Sequence, residues 1–403
     1  MADRGNYHAP AELNRLGTIA LGAGGIALVV WAIGAYFNPE QGLRSWLLGF
    51  IFWGGISIGS IGILMLQYLT GGAWGVVIRR ILEACSRSLL ISAVLFLPLL
   101  FFVNYLYEWT HLAPTEHAIA ARGWYLTTWG WSLRAVIYFA LFGVMAYLLN
   151  RWGSEQDKTT NYEDAERFLG RPTAFSGPAI VFYVLTVTLA AVDWVMTLDP
   201  HWFSTMWGLM FLIGWGLSCL CFVVTILAFL SDKVPMNRVV GRRHFHDLGK
   251  LMLAFVMVWA YFNFSQFLII WSGNIPEETG WYITRMSMGW GIVGWVLVLF
   301  HFAAPFLILL RQDLKRNAGY LATIAGFILL MRLVDMFYLI APSPRIAPQD
   351  LSLAASFSWM DIVAPIAVGG IWLWYFFIQL AKRPLVPVMD PFLEKAIHHG
   401  QGH

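Results

Sequence analysis

Ten long apolar runs constrain this chain more than any other feature of its sequence. A helix that spans a bilayer needs about 20 mostly apolar residues. The runs cover residues 16–37, 43–69, 88–108, 130–150, 175–197, 204–230, 246–271, 286–311, 319–341 and 355–380. Of the 403 residues, 59% are hydrophobic and 12% are charged, about half the charged share of a soluble domain. We therefore predict an all-α integral membrane protein with ten transmembrane helices.

The distribution of Lys and Arg predicts the orientation, because cytoplasmic loops are enriched in both residues. They concentrate in the N-terminal segment 1–15, in the C-terminal tail 381–403 and in the loops after the second, fourth, sixth and eighth runs. The loop after the second run is predicted to hold Arg79, Arg80 and Arg87. The opposite side holds only Arg44, Arg122, Arg285 and Arg345. Both termini are therefore predicted to be cytoplasmic. The first run lacks a signal-peptide pattern and is predicted to be a retained helix.

Tryptophan is abundant in the loops of the opposite, outer side. The residues are Trp109, Trp124, Trp129, Trp202, Trp271 and Trp281. An aromatic belt at the membrane interface explains this pattern. A surface covered by a partner protein is the alternative, since Trp is enriched at protein interfaces. The belt is the favoured interpretation.

Several classes of cofactor site are not predicted for this chain. Cys85, Cys219 and Cys221 form neither a disulfide framework nor a metal-ligand spacing, and no C-x-x-C-H haem motif is present. His301 is the only histidine deep in an apolar run, so a pair of axial haem ligands is not expected. A Gly-rich phosphate loop is also absent. We predict no cofactor in this chain and no nucleic-acid partner.

Two short motifs recur four helices apart. The sequence GWYLT at 123–127 precedes the fourth run, and GWYIT at 280–284 precedes the eighth. The fifth run closes with VDW at 192–194, and the ninth with VDM at 334–336. An even number of helices between the copies gives them the same orientation, as in a parallel repeat. Chance recurrence of a belt motif and an aspartate is the alternative.

The repeat divides the predicted fold into two four-helix bundles. The first covers residues 43–197 and the second covers 204–341. The helices at 16–37 and 355–380 are then predicted to be peripheral.

The predicted helices carry charged residues in their outer halves. They are Arg134, Asp193, Arg332, Asp335 and Asp361. A charge near the bilayer centre costs at least about 2.5–3.5 kcal/mol on insertion scales, so each needs a partner or a function. Arg332 and Asp335 are three residues apart and share a helix face, which Tyr338 extends. Structural ion pairs and a proton-conducting path are both consistent with this pattern.

A second polar group is predicted in the inner halves of the seventh and eighth helices. His246 and Lys250 share a helix face, and Tyr261 lies three turns above Lys250 on nearly the same face. His301 lies inside the eighth run, four residues before Pro305. Proline cannot donate to the carbonyl of residue 301, which leaves either a water site or a kinked helix. Lipid headgroups or ordinary interfacial charge are the alternative explanation for residues 246–250.

Four segments resemble one family of membrane subunits. They are VDWVMTLDPHWFSTMWG at 192–208, HFHDLGK at 244–250, YFNFSQFLIIWSGNIPEET at 261–279 and MRLVDMFYLIAPS at 331–343. These resemble the ActF family, the smaller NrfD/PsrC-like integral membrane subunits of bacterial alternative complex III. The resemblance covers nearly the whole chain and implies ten helices with two four-helix bundles in the bacterial inner membrane.

The resemblance also implies partners and a reaction for the whole complex. The expected partners are a larger NrfD-like membrane subunit, extracytoplasmic multihaem cytochrome c and iron–sulfur subunits, and a terminal oxidase. Haem c and iron–sulfur clusters are expected in those partners, and menaquinone is the expected substrate of the complex. A proton path through this subunit is also implied. The polar residues named above are our candidates for it.

Our functional hypothesis is a cofactor-free, non-redox-centre subunit that scaffolds the complex and provides the proton path. One alternative is a subunit that binds quinol itself. No buried histidine is expected beside Asp193, which weighs against quinol oxidation there. The other alternative is a stand-alone secondary transporter, for which paired Gly/Pro breaks in matching helices would be expected. Pro98 has no counterpart at the matching point of the seventh run.

Overall fold

A computed structural model describes Tyr7, Pro10 and residues 12–113, 115–116, 123–159, 161–346 and 349–401. Arg122 and parts of the segments 1–15 and 381–403 lie outside these described residues. Within them the structure is all-helical, and ten helices are long and apolar enough to cross a membrane. The all-α, multi-pass prediction is confirmed for this part of the chain.

The ten helices are numbered in chain order. They are α1 (Glu12–Phe37), α2 (Pro39–Thr70), α3 (Ala73–Phe101), α4 (Thr128–Asp157), α5 (Tyr162–Trp194), α6 (Trp207–Ser231), α7 (Arg242–Gly273), α8 (Trp290–Leu310), α9 (Ala318–Ile340) and α10 (Met360–Ala381).

Local sequence explains how α2 begins and ends. The Asn38 side chain accepts a hydrogen bond from the Gln41 backbone N–H at 3.2 Å, and Pro39 occupies the first turn, where its missing N–H is not needed. At the other end Gly71 and Gly72 both have positive φ angles. Only glycine adopts this conformation readily, so the chain turns into α3 within two residues.

The bounds of α3 differ from the sequence prediction. The helix begins at Ala73 rather than 88 and ends at Phe101 rather than 108, with a turn at Ser88. Arg79 and Arg80, predicted in a loop, are buried inside the helix. Hydropathy excluded this segment because of its charges. Arg79 forms an ion pair with Asp390, and Arg80 forms ion pairs with Glu83 and Asp157, so the helix continues through these residues.

The eighth span also differs from its predicted run of 286–311. A separate helix, Pro276–Met286, precedes it, and α8 begins only at Trp290. Residues Leu297–Ala303 then form π-helical turns that end two residues before Pro305. A wider turn changes the hydrogen-bond register in front of a proline, which cannot donate its own bond.

The core lies where α2 and α6 cross, and these two spans are the most enclosed of the ten. Trp215 on α6 is buried and donates its indole N–H to the Ile51 carbonyl at 3.0 Å. A side chain at Gly59 would overlap the backbone carbonyl of Trp215. Small residues of this kind allow membrane helices to approach closely. Around this pair α2 also contacts α3, α5 and α10, and α6 also contacts α5, α7 and α9.

The helices predicted to be peripheral, α1 and α10, pack against each other, with Gly24 and Gly370 in close contact. However, α10 also packs on α2. Its Trp372 is fully buried and donates to the Ser57 hydroxyl at 2.9 Å.

Tyr7, near the start of the chain, and the segment that follows α10 meet on one side of the molecule. The Leu385 backbone N–H donates to the Tyr7 carbonyl at 2.9 Å, and Asp390 forms an ion pair with Arg79. The ten candidate spans among the described residues are an even number, which agrees with this arrangement.

Candidate functional site

Asp193 forms a buried ion pair between α4 and α5. Nε of Arg134 donates to Oδ2 at 2.7 Å, and Nη2 donates to Oδ1 at 3.1 Å. The Tyr138 hydroxyl also donates to Oδ2 at 2.7 Å. Such a two-pronged guanidinium–carboxylate contact is among the strongest hydrogen-bonded pairs in proteins.

Neighbouring residues make further contacts with both members of this ion pair. The Arg134 guanidinium lies 3.7 Å from the centre of the Tyr125 ring and donates to the Tyr125 carbonyl at 3.0 Å. The Asp193 backbone carbonyl accepts from Trp131 at 2.7 Å and from Thr197 at 2.6 Å. Both carboxylate oxygens and the carbonyl are therefore occupied, and Asp193 is fully buried. We call this cluster the closed site.

Asp335 also forms an ion pair, but its partner lies on the same helix and only one of its carboxylate oxygens accepts hydrogen bonds from the described residues. It forms an ion pair with Arg332, one turn earlier on α9, and accepts from the Trp259 indole at 3.0 Å. Both of these contacts use Oδ2. Arg332 also reaches the Ser218 hydroxyl on α6 at 3.4 Å. The pair thus joins α6, α7 and α9.

Asp335 lines a cavity of about 880 Å³ bounded by α7, α8, α9 and the helix Pro276–Met286. Most of the lining is apolar or aromatic. Exposed rim residues include Met257, Tyr261, Phe264, Trp295 and Val298. Because these side chains belong to membrane-spanning helices, the cavity opens toward lipid. Its polar lining comes from Asp335, Tyr338, Arg285, Asn263 and Tyr282. We call Asp335, its partners and this cavity the open site.

Arg285 supplies positive charge to the open site. Its described hydrogen bonds all go to backbone carbonyls, at 2.9 Å to Leu339, 3.3 Å to Tyr338 and 3.3 Å to Trp281. The guanidinium also lies 3.6 Å from the centre of the Trp281 ring. Burial lowers the pKa of Arg285 to about 9, so the group stays charged at neutral pH. A cation held by neutral groups favours an electron-rich ligand atom in the cavity.

His301 lies next to the open site rather than with Lys250. Its ring centre is 3.9 Å from that of Trp259, and the side chain is fully buried. Neither ring nitrogen has a hydrogen-bond partner among the described residues. Trp259 is nine residues beyond Lys250, roughly 13 Å along the helix. The structure therefore separates His301 from the inner polar group.

That inner group sits at the helix end. Lys250 is 58% exposed and lies 3.4 Å from Asp247, which also accepts from His399 at 2.8 Å. The His246 ring lies 3.9 Å from the same carboxylate. These contacts connect α7 to the C-terminal helix Leu393–Gln401. Contacts of this kind are expected for ordinary charged residues at the membrane interface.

Asp361 joins neither pair. It accepts from Ser45 at 2.6 Å, from Gln41 at 3.1 Å and from the Ser358 backbone N–H at 2.8 Å. Arg345 reaches it only indirectly, by donating to the side-chain amide oxygen Oε1 of Gln41 at 2.7 Å. Asp361 therefore ties the start of α10 to α2.

The tryptophans predicted for the outer side divide into two groups by burial. Trp109, Trp202 and Trp281 are buried, and Trp202 stacks on Trp281 with ring centres 4.8 Å apart. Trp124, Trp129 and Trp271 are exposed. The first three pack within the protein, and only the second three can serve as a belt or a docking surface.

The residues of these sites that sequence reasoning missed include Trp259, Tyr138 and Arg285. A signal existed for Trp259, which lies far from either end of its apolar run and needs a buried acceptor for its N–H. Arg285 was assigned only to the outer surface.

The described residues contain no group of three or more His, Cys, Asp or Glu side chains that could hold a metal ion. No family model matches the chain, and no curated protein matches it. Function must therefore be argued from the two sites.

Proposed function

We propose that this chain is a cofactor-free membrane subunit of a menaquinol-oxidising respiratory complex in the bacterial inner membrane. It would hold the redox-carrying partners and provide part of a transmembrane proton path. The observation that carries the proton path is the open site, where an intramembrane carboxylate faces a cavity. Intramembrane carboxylates are expensive to bury and commonly belong to proton relays.

The helix contacts support a parallel repeat. In α2–α5, the first helix packs on the second and fourth, and the third packs on the fourth. In α6–α9, the same three pairings occur. Asp193 and Asp335 lie at matching ends of the last helix in each group. We propose that the two groups are related bundles, and that the cavity beside the aspartate of the second bundle gives it a different role.

His301 extends the proposed path. It is buried without a described partner, and it contacts Trp259, which in turn holds Asp335. A neutral imidazole can accept a proton on one nitrogen and release one from the other. His301 does not line the cavity itself, so the proposed path requires an internal water between His301 and Asp335; unpaired buried polar atoms are the usual partners of such water.

Proton uptake in reconstituted complex tests this proposal, with the closed site as a matched control. We expect Asp335→Asn to lower the number of protons taken up per electron, because asparagine cannot release a proton. Asp193→Asn should leave that ratio unchanged. An unchanged ratio in the Asp335→Asn complex would remove the path from this chain. Isolation from native membranes as a single chain without any haem-containing partner would refute membership of the complex.

The cavity also favours a second function, binding of quinol by this chain. Ligand cavities are typically about 300–1,000 Å³, mostly apolar, with a few convergent polar groups. The open site fits that description. Arg285 and Tyr338 could donate to a quinone oxygen, and Asp335 could accept from a quinol hydroxyl.

A cavity-filling variant tests quinol binding. A side chain at Gly294 would project beside Tyr338 without overlap, whereas one at Gly326 on α9 would meet open space. Gly294→Leu should weaken binding of a short-chain menaquinone analogue about tenfold through lost cavity volume, and Gly326→Leu should not. Calorimetric titration in detergent measures both. Equal affinities would exclude this cavity as the quinol site.

A further inference from the structure

A second cavity, of about 610 Å³, lies between α3, α4 and α10. It extends along α4 from Phe139 to Ser154, roughly 22 Å at the rise of an α-helix. One end is lined by Arg87, Arg151 and Arg383, and the other is lined by apolar residues such as Leu90, Ala93 and Phe139. The cavity is therefore polar at one end and apolar at the other.

Arginine side chains dominate the polar end. The Arg87 guanidinium donates to Asn150 at 2.7 Å and to the Gln379 carbonyl at 2.8 Å, and its nearest carboxylate, Glu83, is 3.9 Å away. Glu83 is taken by two closer partners, Arg80 at 2.7 Å and Arg383 at 3.0 Å. Arg87 is thus held mainly by neutral groups.

The charges of this cluster do not balance. Arg80, Arg87 and Arg383 carry three positive charges, and Glu83 and Asp157 carry two negative ones. Arg151, which also lines the cavity, shares the single carboxylate of Glu155 with Arg171, so these three residues add a further positive charge. An anion in the cavity would offset the excess. Guanidinium groups bind phosphate oxygens particularly well.

The apolar end has the shape of a trough along α3 and α4. Leu90 and Ala93 form one wall, and Phe139, Gly143 and Ala146 form the other. Nothing lies within 4 Å of the position that a Cβ on Gly143 would occupy. The trough therefore has room for a flexible hydrocarbon chain.

We propose that this cavity is a binding site for an anionic phospholipid. The headgroup phosphate would lie at Arg87, Arg383 and Arg151, and one acyl chain would lie in the trough beside Gly143. Basic pockets between transmembrane helices take anionic headgroups in this manner. A free phosphate would use only the polar end. The site does not depend on the proposed respiratory function.

Two pairs of variants test the proposal on the purified, delipidated chain. Gly143→Leu fills the trough, and Gly22→Leu, on the outside of α1, adds the same side chain in open space. Arg151→Gln removes a cation from the cavity, and Arg171→Gln removes another partner of Glu155 that does not line it. Both arginines are more than half exposed, so the fold should tolerate either change.

Native mass spectrometry and thermal unfolding with phosphatidylglycerol, phosphatidylcholine and inorganic phosphate provide the readout. Phosphatidylglycerol should bind and raise the unfolding temperature. Gly143→Leu and Arg151→Gln should each weaken that binding about tenfold, and the two controls should retain it. Equal binding of phosphatidylcholine, equal stabilisation by inorganic phosphate, or unchanged affinity in both cavity variants would each overturn the proposal.

Discussion

The closed and open sites use the same residue types, and their surroundings make them different. In the closed site, Arg134 and Tyr138 occupy both oxygens of Asp193. In the open site, Arg332 and Trp259 contact one oxygen of Asp335, and the residue faces a cavity. A buried ion pair is thus weak support for function when taken alone, because purely structural ion pairs also occur. Space beside the pair is what makes the second one a functional candidate.

The largest effect on stability is expected at the open site. Asp335→Ala should lower the free energy of unfolding by about 3–5 kcal/mol, because it leaves Arg332 buried without its counterion. Unfolding in mixed micelles measures this change. The double variant Arg332→Leu/Asp335→Leu should recover most of the loss. A double variant no more stable than Asp335→Ala would mean that the stranded charge is not the cause.

The closed site should tolerate the same change better. Arg134 is 20% exposed at its side chain and keeps the Tyr125 carbonyl and ring after Asp193 is removed. Asp193→Ala should therefore cost about 1–3 kcal/mol. The same unfolding measurement applies. A larger loss for Asp193→Ala than for Asp335→Ala would reverse the comparison.

The smallest expected losses of stability come from removing the hydroxyl groups of two tyrosines, one in each site. Tyr138 donates to a buried carboxylate at 2.7 Å, so Tyr138→Phe should cost about 1.5 kcal/mol or more. Tyr338 donates to the Arg285 carbonyl at 3.3 Å and borders the cavity, so Tyr338→Phe should cost less than about 0.5 kcal/mol. Equal losses in the unfolding assay would show that the hydroxyl of Tyr338 is as firmly held as that of Tyr138.

Sequence reasoning predicted the bounds of a helix best where polar residues flank the apolar run. The ninth run, predicted at 319–341, is α9 at Ala318–Ile340, with Asn317 as its cap. The predicted start of α3 was wrong, because a hydropathy scale treats each charged residue as exposed to the membrane. Ion pairs made inside the protein, such as Arg80 with Glu83, cancel that penalty.

The same distinction between local and long-range contacts decides which parts of the two sites could be predicted. Arg332 and Asp335 lie one helical turn apart, so their spacing alone placed them on one face. Arg134 and Asp193 come from different helices, and no local rule joins them. A cavity forms where side chains from several helices leave space between them. No local pattern in the sequence reveals such a space. The open site could be predicted as charges, but not as a cavity.

The rim of the open site has a consequence for how any ligand reaches it. The mouth is formed by exposed apolar side chains of α7 and α8, such as Phe264 and Trp295. A ligand entering there approaches by lateral diffusion within the membrane plane rather than from water. Occupancy would then follow the mole fraction of the ligand in the bilayer. Its apparent affinity should shift whenever the lipid-to-protein ratio is changed at constant total ligand.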